Sequence, residues 1–490
     1  MQQYKMWING KWVGAESGRT YPVVNPANEE VIAEVPLGDR ADVDKAVAAA
    51  RRAFPVWSQK TQAERSRIVS RIAAALGERL EEVARIEMLD HGAPINAARG
   101  MHVGGSVENL EYAAQVSRVL MGSAVPVNPA ALTYIQREPV GVCALITPWN
   151  FPLLMVAWKL GFALAAGNTC VIKPPSIDSL STLKLAEVLE SVDLPPGTVN
   201  VITGPGGTVG EALASHPGVD KIAFTGSCDT GKDIMACASR SVKRVGLELG
   251  GKNPFIVLPD ADIDAAVEGG VFASFCNSGM ICASPGRYYV HESIHDEFVE
   301  KFVAAAGKIV VGDPASEKTQ MGPLVSAEHR DKVEGYIRSG VAEGAKLVLG
   351  GKRPAAPPLN KGYFVMPAVF TGVTQDMTIA REEIFGPVVC IMKYLSEDRV
   401  VALANDNTFG LCASVWTRDM PKGIRMANEI RAGWVWINEH LMLAPGLPWG
   451  GYKESGIGKD GSIHTLDEYT ELKVIYADLT GATHKPWHVL

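Results

Sequence analysis

The chain has 490 residues, 47% of them hydrophobic, and 47 lysines and arginines against 54 aspartates and glutamates give a net charge of -7. A chain of this size buries a large core and divides into about two or three domains. Its slightly acidic balance offers no basic face to nucleic acid or to an anionic membrane.

Ten histidines form no dense cluster, and no HExxH or CxxC pattern occurs, which argues against a zinc site. The eight cysteines (143, 170, 228, 237, 276, 282, 390 and 412) show no paired spacing and read as free thiols of a reducing, cytoplasmic compartment. The N-terminus lacks the charged and apolar regions of a secretory leader. The longest apolar run, near 160–166, is broken by glycine and flanked by Lys159 and Asn168, too short to span a membrane.

In chain order, Asn9-Gly10 between apolar residues predicts a hairpin over 6–13. Thr61 with Glu64 has the spacing of a capping box, ahead of one long amphipathic helix running toward Leu89 and ended by His91-Gly92. A β-rich piece follows at 132–137. From residue 140, short apolar strands at 142–146, 170–173, 199–202, 222–225 and 245–248 alternate with helical stretches near 153–165, 179–191, 208–214 and 230–238. This alternation predicts a parallel sheet covered by helices, with ligands bound beyond the carboxyl ends of its strands.

Polar residues stand at those ends. Asn150, between Trp149 and Phe151, is placed to donate to a developing oxyanion, or it is a turn asparagine before Pro152. Lys173 suits a nucleotide ribose or phosphate, or is a solvated loop charge. Gly226-Ser227 ahead of a helix, and the glycines of 204–207, allow a pyrophosphate to approach, although GxGxxG is absent. Glu248, before Gly250-Gly251, suits general-base work on water, or a surface ion pair.

A second α/β run, with strands at 255–258, 288–290, 388–392 and 413–416, predicts another domain, hinged at 248–251. Within it, Asn277-Ser278-Gly279 breaks a helix and presents Cys282, as a nucleophilic thiol requires; the alternative is a buried structural cysteine. The tail at 469–476 alternates Leu472, Val474 and Tyr476, as in a strand that pairs with a sheet edge.

Taken together, Ile-Thr-Pro-Trp-Asn-Phe-Pro at 146–152, Val-Ile-Lys-Pro-Pro-Ser at 171–176, Phe-Thr-Gly-Ser at 224–227, Leu-Glu-Leu-Gly-Gly-Lys at 247–252 and Cys282 resemble the aldehyde dehydrogenase superfamily. Glu-Glu-Ile-Phe-Gly-Pro at 382–387 and Pro-Trp-Gly-Gly-Tyr-Lys-Glu-Ser-Gly at 448–456 extend the resemblance over essentially the full chain. It implies an α/β protein with a Rossmann-like cofactor domain (1–116 and 140–250), an α/β catalytic domain (251–450) and a small β oligomerisation domain (117–139 and 466–490), assembled as a homodimer or homotetramer. It implies oxidation of an aldehyde to the acid with NAD or NADP, through a cysteine thiohemiacetal and thioester. Cys282 is then the nucleophile, Glu248 the base and Asn150 the oxyanion donor, together with the Cys282 N–H. Lys173 and Ser176 would hold the adenosine ribose, Gly206 and Gly210 the adenine, Gly226 and Ser227 the pyrophosphate. Glu383, Phe385, Trp149 and Leu249 would hold the nicotinamide end.

Three departures qualify this. Met280 replaces a common glutamine, and Asp460 a glutamate of a proton relay. Ser176 replaces a glutamate that would bond the ribose hydroxyls of NAD and repel a 2′-phosphate, so NADP is expected to be tolerated. The substrate tunnel implied by the resemblance, Phe151, Met155, Trp158, Leu443 and Trp449, is apolar, and no arginine stands in 439–449 to pair a carboxylate. Neutral aliphatic or aromatic aldehydes are expected, with a semialdehyde as the alternative and His440 as a loop residue. An acylating relative would lack Glu248, and a scaffold that had merely kept the fold would have no need of Cys282, Glu248 and Asn150 together.

Overall fold

The apolar runs expected as strands between residues 142 and 248 form one parallel array in the computed structural model, which describes residues 2–481. Val142–Ile146, Thr169–Lys173, Val199–Val201, Lys221–Thr225 and Arg244–Glu248 lie side by side, all but the last buried throughout. Strands covered on both faces read as largely apolar runs; Val142–Ile146 is apolar throughout, and Lys173, Lys221, Arg244 and Glu248 stand at strand ends. Cys143, Leu145, Cys170 and Ile172 enter a core with helices Gln62–Glu78, Pro152–Ala166 and Leu180–Ser191. Val142, Ala144, Ile146 and Val171 enter the opposite core with Arg40–Ser58 and Cys228–Ser239.

The sheet reaches eight strands. Met6–Ile8 and Lys11–Val13 extend one edge as the expected hairpin, with Asn9 and Gly10 at φ 54° and 72°, as a type I′ turn demands. Gly456–Ile457 closes the other edge against Arg244–Glu248. The chain starts at Val142–Ile146, steps outward through Thr169–Lys173 and Val199–Val201, then crosses back to Lys221–Thr225 on the other side. The strand order therefore reverses beside Val142–Ile146, which opens a crevice at the carboxyl ends.

A second, seven-stranded sheet is built on Asn253–Val257, Pro285–His291, Val388–Tyr394 and Cys412–Trp416, so the fold is α/β throughout its two large sheets. A third sheet pairs Thr470–Asp478 antiparallel with Ala131–Pro139 along the full length of both strands. Met1 and 482–490, the latter the end of the segment expected to form the oligomerisation domain, lie outside the described residues. Among the described residues, no helix is long and apolar enough to cross a membrane.

The helical expectation for 62–89 needs correction. The capping box of Thr61 and Glu64 is present, but the helix ends at Glu78 and a second, Leu80–His91, begins after Arg79 at φ -105°, ψ 14°. The bend lets the first half pack on Gly105–Val116 and the second on Leu180–Ser191. Gly92, at φ 84°, terminates the second helix with its N–H on the Met88 carbonyl. The stretch 208–214 is a wide π turn, Gly206–Gly210, followed by a short α-helix, Glu211–Ser215. Another π turn, Ala98–Gly104, precedes Gly105–Val116.

Candidate active site

Helix Ile263–Phe275 stops abruptly, and Asn277, Ser278 and Gly279 follow in left-handed conformation at φ 49°, 56° and 71°. A Cβ at residue 279 would lie 2.3 Å from the Gly386 carbonyl oxygen, so the crossing of these two segments requires glycine. The turn delivers Cys282 to the wall of a cavity of about 890 Å³ between the two large sheets. Asn253, at the start of its strand, donates its side-chain amide to the carbonyls of Cys282 (2.7 Å) and Ser284 (2.9 Å). His440 donates from Nε2 to the Ala283 carbonyl (2.8 Å) and accepts at Nδ1 from Ser414 (2.9 Å). The nucleophile candidate is thus held by its main chain on both sides.

Burial pushes the Cys282 thiol up to about 12, helped by the charges of Glu383 and Glu248, while the N–H groups of Ala283 and Cys282 pull the other way. Glu248 ends its strand on the same cavity. Burial first, and Asp460 second, hold its carboxyl well above the usual range against the pull of Lys159 and Lys459. Lys159 and Asp460 are paired at 2.6 Å next to it. Its Oε2 is buried without a protein partner. Asn150 lines the cavity as well, its main-chain oxygen accepting from the Asn277 amide at 2.8 Å.

Of the residues assigned from sequence to a cofactor, Trp149, Gly226, Ser227, Leu249, Glu383 and Phe385 line this cavity. Ser227 caps Cys228–Ser239, whose first free N–H groups point outward from the strand end. Trp149 meets the Phe385 ring edge-on at 5.2 Å, and Phe385 is held at φ 58° with its carbonyl accepting from His329 (2.7 Å). Glu383 folds over the two-glycine turn, accepting from the Gly251 N–H at 2.9 Å, and burial raises it to about 7. Lys173, Ser176, Gly206 and Gly210 stand outside the cavity wall; of these, Lys173 and Gly210 are neighbours, since a Cβ at residue 210 would lie 3.8 Å from the Lys173 side chain. Lys173 is buried, which lowers it to about 8, and it donates to the Pro174 carbonyl at 2.8 Å.

The tunnel residues Phe151, Met155, Trp158, Leu443 and Trp449 also line the cavity, and Trp434 packs at a tilt against Trp449 at 5.7 Å. His440, expected as a loop residue, does sit in a loop, but it is 1% exposed and committed through both nitrogens. Sequence reasoning missed Asn253, although a polar residue opening a fully buried strand was a usable signal. It also missed Met101, Gly105 and Asn109, which the π turn and the following helix bring to the tunnel. No local pattern identifies them.

The sequence profile of the aldehyde dehydrogenase family matches residues 12–475. The chain is 44% identical to the betaine aldehyde dehydrogenase of Bacillus subtilis over 475 residues, 96% of either protein. It is 45% identical to aldehyde dehydrogenase 1A1 of Rattus norvegicus over 479 residues, 97% of this chain and 95% of that one. The NAD+ complex of an aldehyde dehydrogenase from Bacillus cereus superposes with a TM-score of 0.96 at 41% identity, covering 98% of this chain and 97% of the other. A betaine aldehyde dehydrogenase from Staphylococcus aureus, also in complex with NAD+, has a TM-score of 0.96 at 38% identity, over 98% and 95%.

Proposed function

The chain belongs to the aldehyde dehydrogenase family, and from that premise we propose how it oxidises an aldehyde to the carboxylic acid and which aldehydes it takes. One observation carries the reading: Cys282, Glu248 and Asn150 converge on one enclosed cavity. The Cys282 thiol loses its proton to solvent, its sulfur bonds to the aldehyde carbon, and the C=O electron pair moves to the oxygen, which takes the charge under the Asn150 amide and the Cys282 N–H. Loss of hydride from that carbon leaves a thioester on Cys282. A nicotinamide dinucleotide, when bound, accepts the hydride. Glu248 then takes a proton from water, the water oxygen bonds to the thioester carbon, and the C–S bond breaks to release acid and thiolate.

The residues present fit such a dinucleotide. The free N–H groups behind Ser227 suit a pyrophosphate, and the apolar wall formed by Trp149 and Phe385 suits the nicotinamide. Lys173 and Ser176 are assigned to the adenosine ribose, and Gly206 and Gly210 to the adenine. NAD is proposed on the likeness to the two NAD+ complexes, and NADP is tolerated because no carboxylate stands at 176. Asp178 does not replace it, being fully buried and turned toward His91. A strict refusal of NADP with a good substrate would contradict this point.

The cavity wall carries no arginine, and its lysine, Lys332, stands on the helix whose His329 packs against Trp149 and Phe385, so no cation stands among the tunnel residues Phe151, Met155, Trp158, Leu443 and Trp449 to pair a substrate carboxylate. Neutral aliphatic or aromatic aldehydes fit best. A cationic aldehyde is the second reading, favoured by Trp158, Trp434 and Trp449 with Glu108 and Glu439 on the same wall. A panel of neutral, cationic and carboxylate-bearing aldehydes separates these readings by kcat/KM, and preference for the carboxylate would overturn both. Replacing Cys282 with alanine is expected to lower dinucleotide reduction by about 10³-fold or more; retained turnover would overturn the mechanism.

The segments 1–116 with 140–250, 251–450, and 117–139 with 466–490 are proposed as cofactor, catalytic and oligomerisation domains. The exposed apolar side chains of the tail strand, Leu472, Val474 and Tyr476, support a homodimer or homotetramer. Eight free cysteines support a reducing, cytoplasmic setting.

A further inference from the structure

Behind the loop that carries Trp149, Asn150 and Phe151 lies a group of ionisable side chains that the chemistry above does not use. His91 and Asp178 are each 0% exposed and absent from the cavity wall. His91 Nδ1 lies 3.2 Å from Asp178 Oδ2, and His91 Nε2 lies 3.0 Å from Asn277 Oδ1. Asn277 in turn donates Nδ2 to the Asn150 carbonyl at 2.8 Å. His102, 5.4 Å from the His91 ring, packs at a tilt against Phe151 at 4.6 Å.

The bond directions follow from chemistry. The Asn277 amide nitrogen is spent on a carbonyl, so its oxygen accepts, and the hydrogen there belongs to His91 Nε2. A neutral ring is then bare at Nδ1, and the Asp178 carboxyl donates to it. Burial favours this arrangement, because it drives Asp178 well above the usual carboxylate range and His91 down to about 4. Asn277 is also the first left-handed residue of the turn leading to Cys282, so it joins the two turns that carry Asn150 and Cys282.

We propose that His91 and Asp178 are positioning residues for the oxyanion hole, acting through Asn277 to fix the main chain at Asn150. An oxyanion donor works only where it already points at the developing charge, and a misplacement of about 1 Å costs on the order of 10²-fold in rate. This inference rests on the function proposed above.

The test uses the full-length enzyme with propanal and NAD, comparing wild type with His91→Ala, His91→Gln and Asn277→Asp. Alkylation of Cys282 by iodoacetamide, which develops no oxyanion, is followed in parallel. For His91→Ala, kcat is expected to fall about 10- to 100-fold, with both KM values within about threefold and the alkylation rate within about twofold. His91→Gln, whose amide can donate to Asn277 Oδ1, is expected to recover most of the loss. If His91→Ala does not fold, Asn277→Asp carries the same test, since it keeps the left-handed turn but replaces the amide donor to Asn150. Unchanged kcat, an equal slowing of alkylation, or no recovery with glutamine would overturn the assignment. An inert wild type would remove the proposed function and this inference together, whereas an active wild type with indifferent variants would remove this inference alone.

Discussion

At Cys282, the enclosure that shields a thioester from bulk water also keeps the resting sulfur protonated, because burial and two carboxyl neighbours disfavour the anion. With the thiol raised to about 12, thiolate is scarce at neutral pH and grows with every step upward. Iodoacetamide labelling of the free enzyme is therefore expected to accelerate about tenfold per pH unit between about pH 7 and 9. A rate already level in that range would reveal a thiolate formed at lower pH and contradict the reading. Asn253 is the second residue to probe. Replacing it with alanine frees the carbonyls of Cys282 and Ser284 and removes the acceptor of the Cys412 N–H. A stability loss of about 1–3 kcal/mol is expected from calorimetry, with a fall in kcat per folded site; wild-type values for both would show that the nucleophile's main chain is held elsewhere.

Among the elements, Gly92 ends a helix where no side chain fits: at φ 84°, a Cβ would lie 2.7 Å from Pro323 and 2.8 Å from Pro26. Gly92→Ala is expected to destabilise by about 1–3 kcal/mol, read as a lower Tm, and an unchanged Tm would contradict the packing described. The His91-Gly92 stop was legible in sequence, as were the strands, because parallel strands buried on both faces read as largely apolar runs. The break at Arg79 was not legible, since it answers to two different helices packed against its two halves rather than to any local breaker. Helix Arg40–Ser58 was passed over although Asp39 and Asp42 form a capping box. The same division holds in the cavity. Cys282, Glu248 and Asn150 stand at turns and strand ends that sequence motifs mark, whereas His440, Asn109 and Met101 reach the wall through packing between segments far apart in the chain.

For the whole molecule, the two large sheets present their loops to one crevice, and the third sheet stands apart with an apolar edge. Leu472, Val474 and Tyr476 are 62%, 63% and 52% exposed along a strand paired on one side with Ala131–Pro139. Such an edge invites a second copy of the chain. The double variant Leu472→Lys, Val474→Glu is expected to sediment as a smaller species than wild type, and a monomeric wild type would refute the assembly. The proposed turnover passes the substrate through a covalent bond to one sulfur, released by one carboxylate. Glu248→Gln, mixed with an aldehyde and NAD, tests this directly by intact-mass and peptide mass spectrometry. The predicted result is about one equivalent of NADH per site, an acyl group on the peptide containing Cys282, and later turnover slowed by about 10²–10⁴-fold. Undiminished turnover, or an acyl group absent from Cys282 after the burst, would contradict it.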